Sequence, residues 1–244
     1  MDFSIEEMTM NAWPSLQTIL LDGWIIRMAN GYTKRANSVN PIYSFKNKLE
    51  ERITYCENIF RNNNLPIIFK IVDCKEQEII DHKLETLNYD KIDLTSVQIC
   101  DELKPAKNIE NIYISNKFNE NWNNCFYHCY NIDNIKTIET IEKMLENIKN
   151  KKICVYKQEK GTFAGCGYGV IENGLVGLFD IIVKKDFRGK GYGREIVEAI
   201  LSKAKEEGVN RAYLAVVNDN IIAKKLYAKI GFKEIYKYWY RKKD

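Results

Sequence analysis

The chain of 244 residues has no apolar run approaching the ~20 residues that a membrane span requires. Its first ten residues carry three acidic groups and no basic one, the reverse of a secretory signal. Together these absences predict a cytosolic protein with no membrane attachment. No C-x-x-C occurs among the seven cysteines, which are scattered and odd in number. That excludes a disulfide framework and predicts buried free thiols. Histidine is nearly absent, at two residues. Cys125, His128 and Cys129 stand three and four residues apart, and the remaining histidine, His82, is remote in sequence. A zinc site wants a fourth ligand or a water, so the triplet reads as a core-facing stripe and no metal is expected.

Charge is present but uneven. Residues 1–110 hold 13 basic and 17 acidic side chains, a net −4, and the remainder holds 24 and 16, a net +8. A basic C-terminal half suits a phosphorylated ligand or nucleic acid. No nucleic-acid recognition motif accompanies the charge, so no nucleic-acid partner is expected.

The pattern of elements is mixed α/β. Leu16–Leu21 and Trp24–Met28, joined by Asp22-Gly23, read as a hairpin. Gly31–Pro41 reads as a polar, turn-rich stretch. Phe45–Arg61 and Glu76–Leu87 have helical spacing, and Pro66–Val72 and Ile92–Cys100 read as strands. The segment 103–111, with Pro105, is the best linker. Ile112–Ser115 is a possible strand. Helices are expected over Glu120–Tyr130 and Ile135–Ile148, then strands over Ile153–Lys157, Gly161–Ile171 and Leu175–Val183. The clearest helix is Tyr192–Glu207, with Gly208 as its C-cap. Ala212–Val217 is a buried strand. Asn218 or Asp219 can cap the following helix, which stops at Gly231. Phe232–Tyr240 reads as a last strand and Arg241-Lys242-Lys243 as a solvated tail. Leu65–Cys100 and Arg211–Arg241 share one order, strand, helix, strand, so the halves read as divergent copies of one unit.

The chemistry concentrates at Arg188-Gly189-Lys190-Gly191-Tyr192-Gly193-Arg194, between an apolar strand and a long helix. A glycine-rich turn at a helix N-terminus offers unpaired N–H groups and the positive dipole end to phosphate. Arg188, Lys190 and Arg194 can add charged donors. No Lys-Ser or Lys-Thr follows the glycines, which disfavours a P-loop. Glycines two apart, with Arg at position 194, also fail the G-x-G-x-x-G spacing.

Arg188, Gly191 and Gly193 fill the pattern [QR]-x-x-G-x-[GA], which resembles the pyrophosphate loop of the GNAT superfamily of N-acetyltransferases. Asn220-Ile221-Ile222-Ala223, Leu226-Tyr227 and Gly231-Phe232 resemble that family's N-x-x-A-x-x-L-Y-x-x-x-G-F segment. The resemblance covers roughly residues 112–244. It implies a GNAT fold, a central mixed twisted sheet flanked by helices. Two GNAT-like halves are expected, a degenerate one at 1–104 and an acetyltransferase domain at 105–244.

The resemblance also implies acetyl-CoA as co-substrate and a small-molecule or peptide amine as acceptor, attacked directly in a ternary complex. Ile181, Ile182 and Val183 would pair with the pantetheine, and residues 188–194 would hold the pyrophosphate. Asn220 would help hold the cofactor, and Tyr227 would protonate the leaving thiolate. Asp180 is the first candidate base, because a carboxylate in an apolar strand is costly without a role. Strand alternation alone aims it at the face opposite Phe179 and Ile181, so a bulge would be needed to turn it toward the reaction. Glu172, at a turn, is the weaker candidate. The N-terminal half shows no glycine loop at Arg35–Pro41, so no cofactor is expected there. Trp24, Tyr32, Asn37 and Asn40 could line an acceptor pocket. The alternative function is an acyl-CoA-binding sensor or scaffold without turnover.

Overall fold

In a computed structural model, residues 3–43, 48–104 and 110–243 are described. They form one mixed sheet of eleven strands flanked by seven α-helices. In chain order the first half contains α1 (Ser4–Ala12), β1 (Gln17–Leu21), β2 (Trp24–Met28), β3 (Ser38–Asn40), α2 (Leu49–Asn62), β4 (Ile67–Val72), α3 (Glu78–Thr86) and β5 (Asp90–Cys100). The second half contains β6 (Ile112–Ser115), α4 (Glu120–Tyr130), α5 (Ile135–Glu146), β7 (Lys151–Glu159), β8 (Thr162–Glu172) and β9 (Leu175–Val183). It ends with α6 (Tyr192–Glu206), β10 (Arg211–Val217), α7 (Ile221–Ile230) and β11 (Lys233–Lys243). The proposed linker falls partly outside the described residues, as does the start of the helix expected from Phe45.

The strand order is β1-β2-β3-β4-β11-β5-β10-β9-β8-β7-β6. The final strand β11 therefore lies between β4 and β5, antiparallel to both. In return β5 lies between β11 and β10, antiparallel to β10. The two β–α–β units legible in the sequence, β4–α3–β5 and β10–α7–β11, thus exchange their last strands and lock into a single sheet.

The β-hairpin turns at Asp22-Gly23, where both residues take positive φ. Two elements escape the sequence reading. Helix α1 carries little apolar periodicity, and β3 is only three residues long. The expected C-terminal tail is also corrected. Arg241–Lys243 continue β11, because Arg241 is itself buried and paired with α3. Its guanidinium donates to both carboxylate oxygens of Asp81, at 2.7 and 3.0 Å, and to Glu85 at 3.3 Å.

Residues of β7–β10 alternate between two cores, so this half of the sheet is covered on both faces. Cys154, Cys166, Tyr168, Phe179 and Tyr213 pack with Trp122, Phe126 and Met144 from α4 and α5. Val155, Val176, Leu178 and Leu214 pack with Ile196, Val197 and Ile200 of α6. Helix α6 lies close to β8 because glycines recur there. A Cβ at Gly169 would stand 2.6 Å from Ile200 Cγ2. Six of the seven free cysteines are buried. Cys125 and Cys129 face the core, but His128 does not, since it is exposed and meets Lys184. Among the described residues no group of three or more His, Cys, Asp or Glu is placed to hold a metal ion. No described helix is long and apolar enough to cross a membrane.

Candidate active site

The site grows from the way β9 and β10 part. These parallel strands pair at four registers, from Arg211↔Leu175 to Leu214↔Leu178, and then diverge. Beyond Leu178 the edge of β9 facing β10 has no ladder partner. Its residues 180–183 are half-buried, and an unpaired strand edge offers N–H and C=O groups for pairing, so this open edge is a template for an extended ligand carrying amides. Its other edge stays paired with β8, through Cys166↔Ile182 and Gly165↔Val183.

At the start of that open edge sits a β-bulge. The register passes from Tyr168↔Phe179 to Cys166↔Ile182, so Asp180 and Ile181 together oppose one residue of β8. Asp180 takes φ +48. Bulges re-aim side chains, and this one turns Asp180 and Ile181 into a cleft of about 740 Å³. The cleft also receives Asn220 and Tyr227 from the second half. Tyr32, Lys34, Arg35 and Asn37 enter it from the segment after β2.

The Asp180 side chain is 6% exposed, and its Oδ1 accepts from Arg35 Nη2 at 3.0 Å. The Tyr130 hydroxyl approaches the same oxygen at 3.5 Å. Oδ2 is buried without a partner among the described residues. Burial works against the charge on Arg35, but the field of Asp180 and of neighbouring tyrosines outweighs it and raises its pKa. Its guanidinium lies 5.1 Å from the centre of the Trp13 ring. Arg27 braces this arrangement from below, donating to the carbonyls of Arg35 (2.6 Å), Met10 and Trp13.

A second bulge repeats the theme on the opposite wall. Between Tyr238↔Thr95 and Tyr240↔Ile92 the strand β5 carries an extra residue, and Asp93 there takes φ +52. Asp93 pairs with Lys34 at 2.7 Å. Consecutive basic residues of one loop are therefore pinned to two different strands by aspartates in left-handed backbone.

The glycine loop joins β9 to α6. Gly189 and Gly191 take φ +80 and +88, and a Cβ on either would meet nothing within 4 Å. Gly191 caps α6. The N–H groups of Gly189, Lys190 and Gly191 donate to no other described residue. Open space above free amides at a helix N-terminus fits a pyrophosphate. Gly193 sets the loop against its supports, since a Cβ there would lie 3.6 Å from Val183 Cγ2 and 3.8 Å from Leu226 Cδ2.

The charged side chains of the loop are differently employed. Arg188 Nε donates back to the Val183 carbonyl at 3.1 Å, and Arg194 pairs with Glu198 one turn on. Lys190 lies over Phe187, and the Tyr192 hydroxyl donates to Glu159. The open face of the loop is thus mainly backbone.

Asn220, rather than Asn218 or Asp219, caps α7, its side chain accepting from Ala223 N at 3.1 Å. About two turns further on, Tyr227 is 8% exposed, and burial raises its phenol to about 12. Its hydroxyl makes no hydrogen bond to another described residue.

Other candidates separate. Glu172 lies outside this cleft and accepts from Asn11. Tyr32 and Asn37 line the cleft. Trp24 instead packs edge-on against Phe69 in the core under β2 and β4, and Asn40 bonds back to Ser38. Arg35–Pro41 is also not the counterpart of the glycine loop. It runs through β3, and the connection to α2 comes after it, with 44–47 outside the described residues. The sequence reading passed over Arg35 and Asp93. The Lys34-Arg35 pair in a turn-rich stretch was the available signal.

A parted parallel pair, a bulge at its fork and a glycine loop at the next helix belong to the GNAT fold. Residues 113–232 match the family model described as Acetyltransferase (GNAT) family, and the chain carries a GNAT acetyltransferase domain there. Over nearly its full length the chain is similar to an uncharacterized N-acetyltransferase, YobR, of Bacillus subtilis (strain 168). The two are 26% identical, over 97% of this chain and 96% of the relative.

Solved structures agree on the fold. A GCN5-related N-acetyltransferase from Sphaerobacter thermophilus superposes with a TM-score of 0.67 at 12% identity, covering 97% of this chain and 84% of that one. A tandem GNAT protein from the clavulanic acid biosynthesis pathway superposes with a TM-score of 0.59 at 11% identity, covering 84% and 75%.

Proposed function

We propose that the protein is a cytosolic enzyme that transfers an acetyl group from acetyl-CoA to a primary amine. The reading has the amine attack directly while both substrates are bound. The carrying observation is the open edge of β9 leading into a glycine loop whose amides are free. Ile181, Ile182 and Val183 would hold the pantetheine amides, the N–H groups of residues 189–193 the pyrophosphate, and Asn220 the start of α7 beside them. The cofactor supplies an acetyl thioester.

The acceptor must lose a proton to become a nucleophile, and Asp180 is the carboxylate in this reading that receives it at the fork. After attack, nitrogen loses its second proton, and the sulfur of the departing thiolate needs one. Tyr227 Oη supplies that proton and regains one from the nitrogen through solvent. The balance is one acetamide, one thiol and one proton released. A phenol held at about 12 stays protonated at neutral pH and so remains a donor. An acyl-CoA-binding scaffold without turnover is the competing reading, and acetylation assays separate the two. We read residues 1–104 and 105–244 as two GNAT-like halves, the first shaping the acceptor end.

Calorimetric titration with acetyl-CoA tests the cofactor site. Wild type should bind, and Gly191→Glu should not, since its carboxylate would occupy the free space over the loop. Gly191→Ala carries the same backbone strain without the bulk and should retain binding. Absence of wild-type binding would overturn the reading.

A further inference from the structure

We infer that the acceptor is an amine bearing its own carboxylate, of the α-amino-acid type, recognised by Asp180 and Arg35 together. The placement of its nitrogen beside the thioester rests on the reading above.

The first observation is an incomplete ion pair. An arginine and a carboxylate that serve only each other tend toward a two-pronged contact. Here a single contact, Nη2 to Oδ1, joins them. Oδ2 of Asp180 is buried and has no partner among the described residues, although its side chain lines the cleft. On Arg35, Nε and Nη1 donate to no other described residue, and the side chain keeps 30% of its exposure. A buried acceptor without a donor is costly. One acceptor without a donor and a fork of donors without acceptors thus lie next to each other at the cleft wall. An ammonium at Oδ2 and a carboxylate at Nε and Nη1 would satisfy both.

The second observation is the charge of the cleft. Its lining holds Lys34, Arg35 and Lys242 against Asp93 and Asp180. Lys34 and Asp93 cancel in their own pair. A simple alkylamine or polyamine would bring positive charge beside Arg35 and offer that guanidinium no acceptor. A zwitterion adds none and places its negative end at Arg35.

The third observation is rigidity. Arg27 holds the Arg35 carbonyl and Trp13 lies under the guanidinium. A fixed fork loses little freedom when it binds a planar carboxylate. Tyr32 and Tyr130 border the same space, and burial, helped by Asp180, raises both phenols. They remain neutral donors beside the site.

The test is binding of the standard α-amino acids and their carboxamides to the full chain saturated with CoA, by calorimetry, with acetyl transfer measured in parallel. At least one amino acid should bind about tenfold or more tightly than its carboxamide. Arg35→Gln should erase that preference, while Asp180→Asn should weaken acid and carboxamide alike. A melting curve of each variant checks folding, and the wild-type comparison stands without either. The inference is overturned if carboxamides match their acids throughout, if no amino acid binds, or if the preference survives Arg35→Gln. Selective binding without acetyl transfer would keep this inference and refute the acetyltransferase. Acetylation indifferent to the carboxylate would do the reverse.

Discussion

At the scale of single residues, Tyr227 and Asp180 differ in how far their surroundings explain them. Tyr227 sits in an apolar wall with its hydroxyl free, which suits a group that only gives a proton. Replacing Tyr227 with Phe removes that proton and little volume. The expected result is a kcat about 10²-fold lower with acetyl-CoA affinity nearly unchanged. Steady-state kinetics beside calorimetry would show it, and equal loss in both would mean a packing role. Asp180 was visible in the sequence as an odd carboxylate in an apolar strand. What the sequence did not show was its direction. Strand alternation aimed it away, and the extra residue opposite β8 that turns it back depends on pairing between two strands. Arg35 was hidden for a related reason, since its partner lies 145 positions away.

At the scale of elements, local signals located what local physics determines. The glycine loop, α6 and the β–α–β order follow from spacing and from glycine at positive φ. The short β3 and the course of β11 do not, because they are held by distant partners. Asp81 shows how. It accepts from Arg241 and from Trp239 Nε1, fastening α3 to the end of β11. Burial alone would raise its pKa, but the bonds to Arg241 and Trp239 prevail, and it is lowered from 3.8. A lowered carboxylate gives stability that is present above 3.8 and lost as pH falls through the folded value. Asp81→Asn should therefore destabilise by about 1–2 kcal/mol near neutrality, because it removes the charge that answers the guanidinium and leaves Glu85 and the Tyr89 carbonyl as its remaining acceptors. The difference from wild type should shrink in acid. Urea melts at several pH values would measure this, and a pH-independent difference would count against the ion pair.

At the scale of the whole molecule, the exchange of β5 and β11 makes each half incomplete alone. Residues 105–244 expressed by themselves would leave β10 and β11 without the strand that lies between them. That fragment should be insoluble or lack a cooperative melt, and mixing it with residues 1–104 should restore structure. A cooperative, monomeric fragment would show that the seam contributes little. The cleft has the same dependence, since Lys34, Arg35 and Asp93 come from the first half and Asp180, Asn220 and Tyr227 from the second. The interior position of β11 also has a consequence for synthesis. The ribosome makes β4 and β5 well before β11, the strand that joins them. Until β11 has left the exit tunnel the nascent chain carries an open seam, so the finished sheet, and the cleft along it, can form only then.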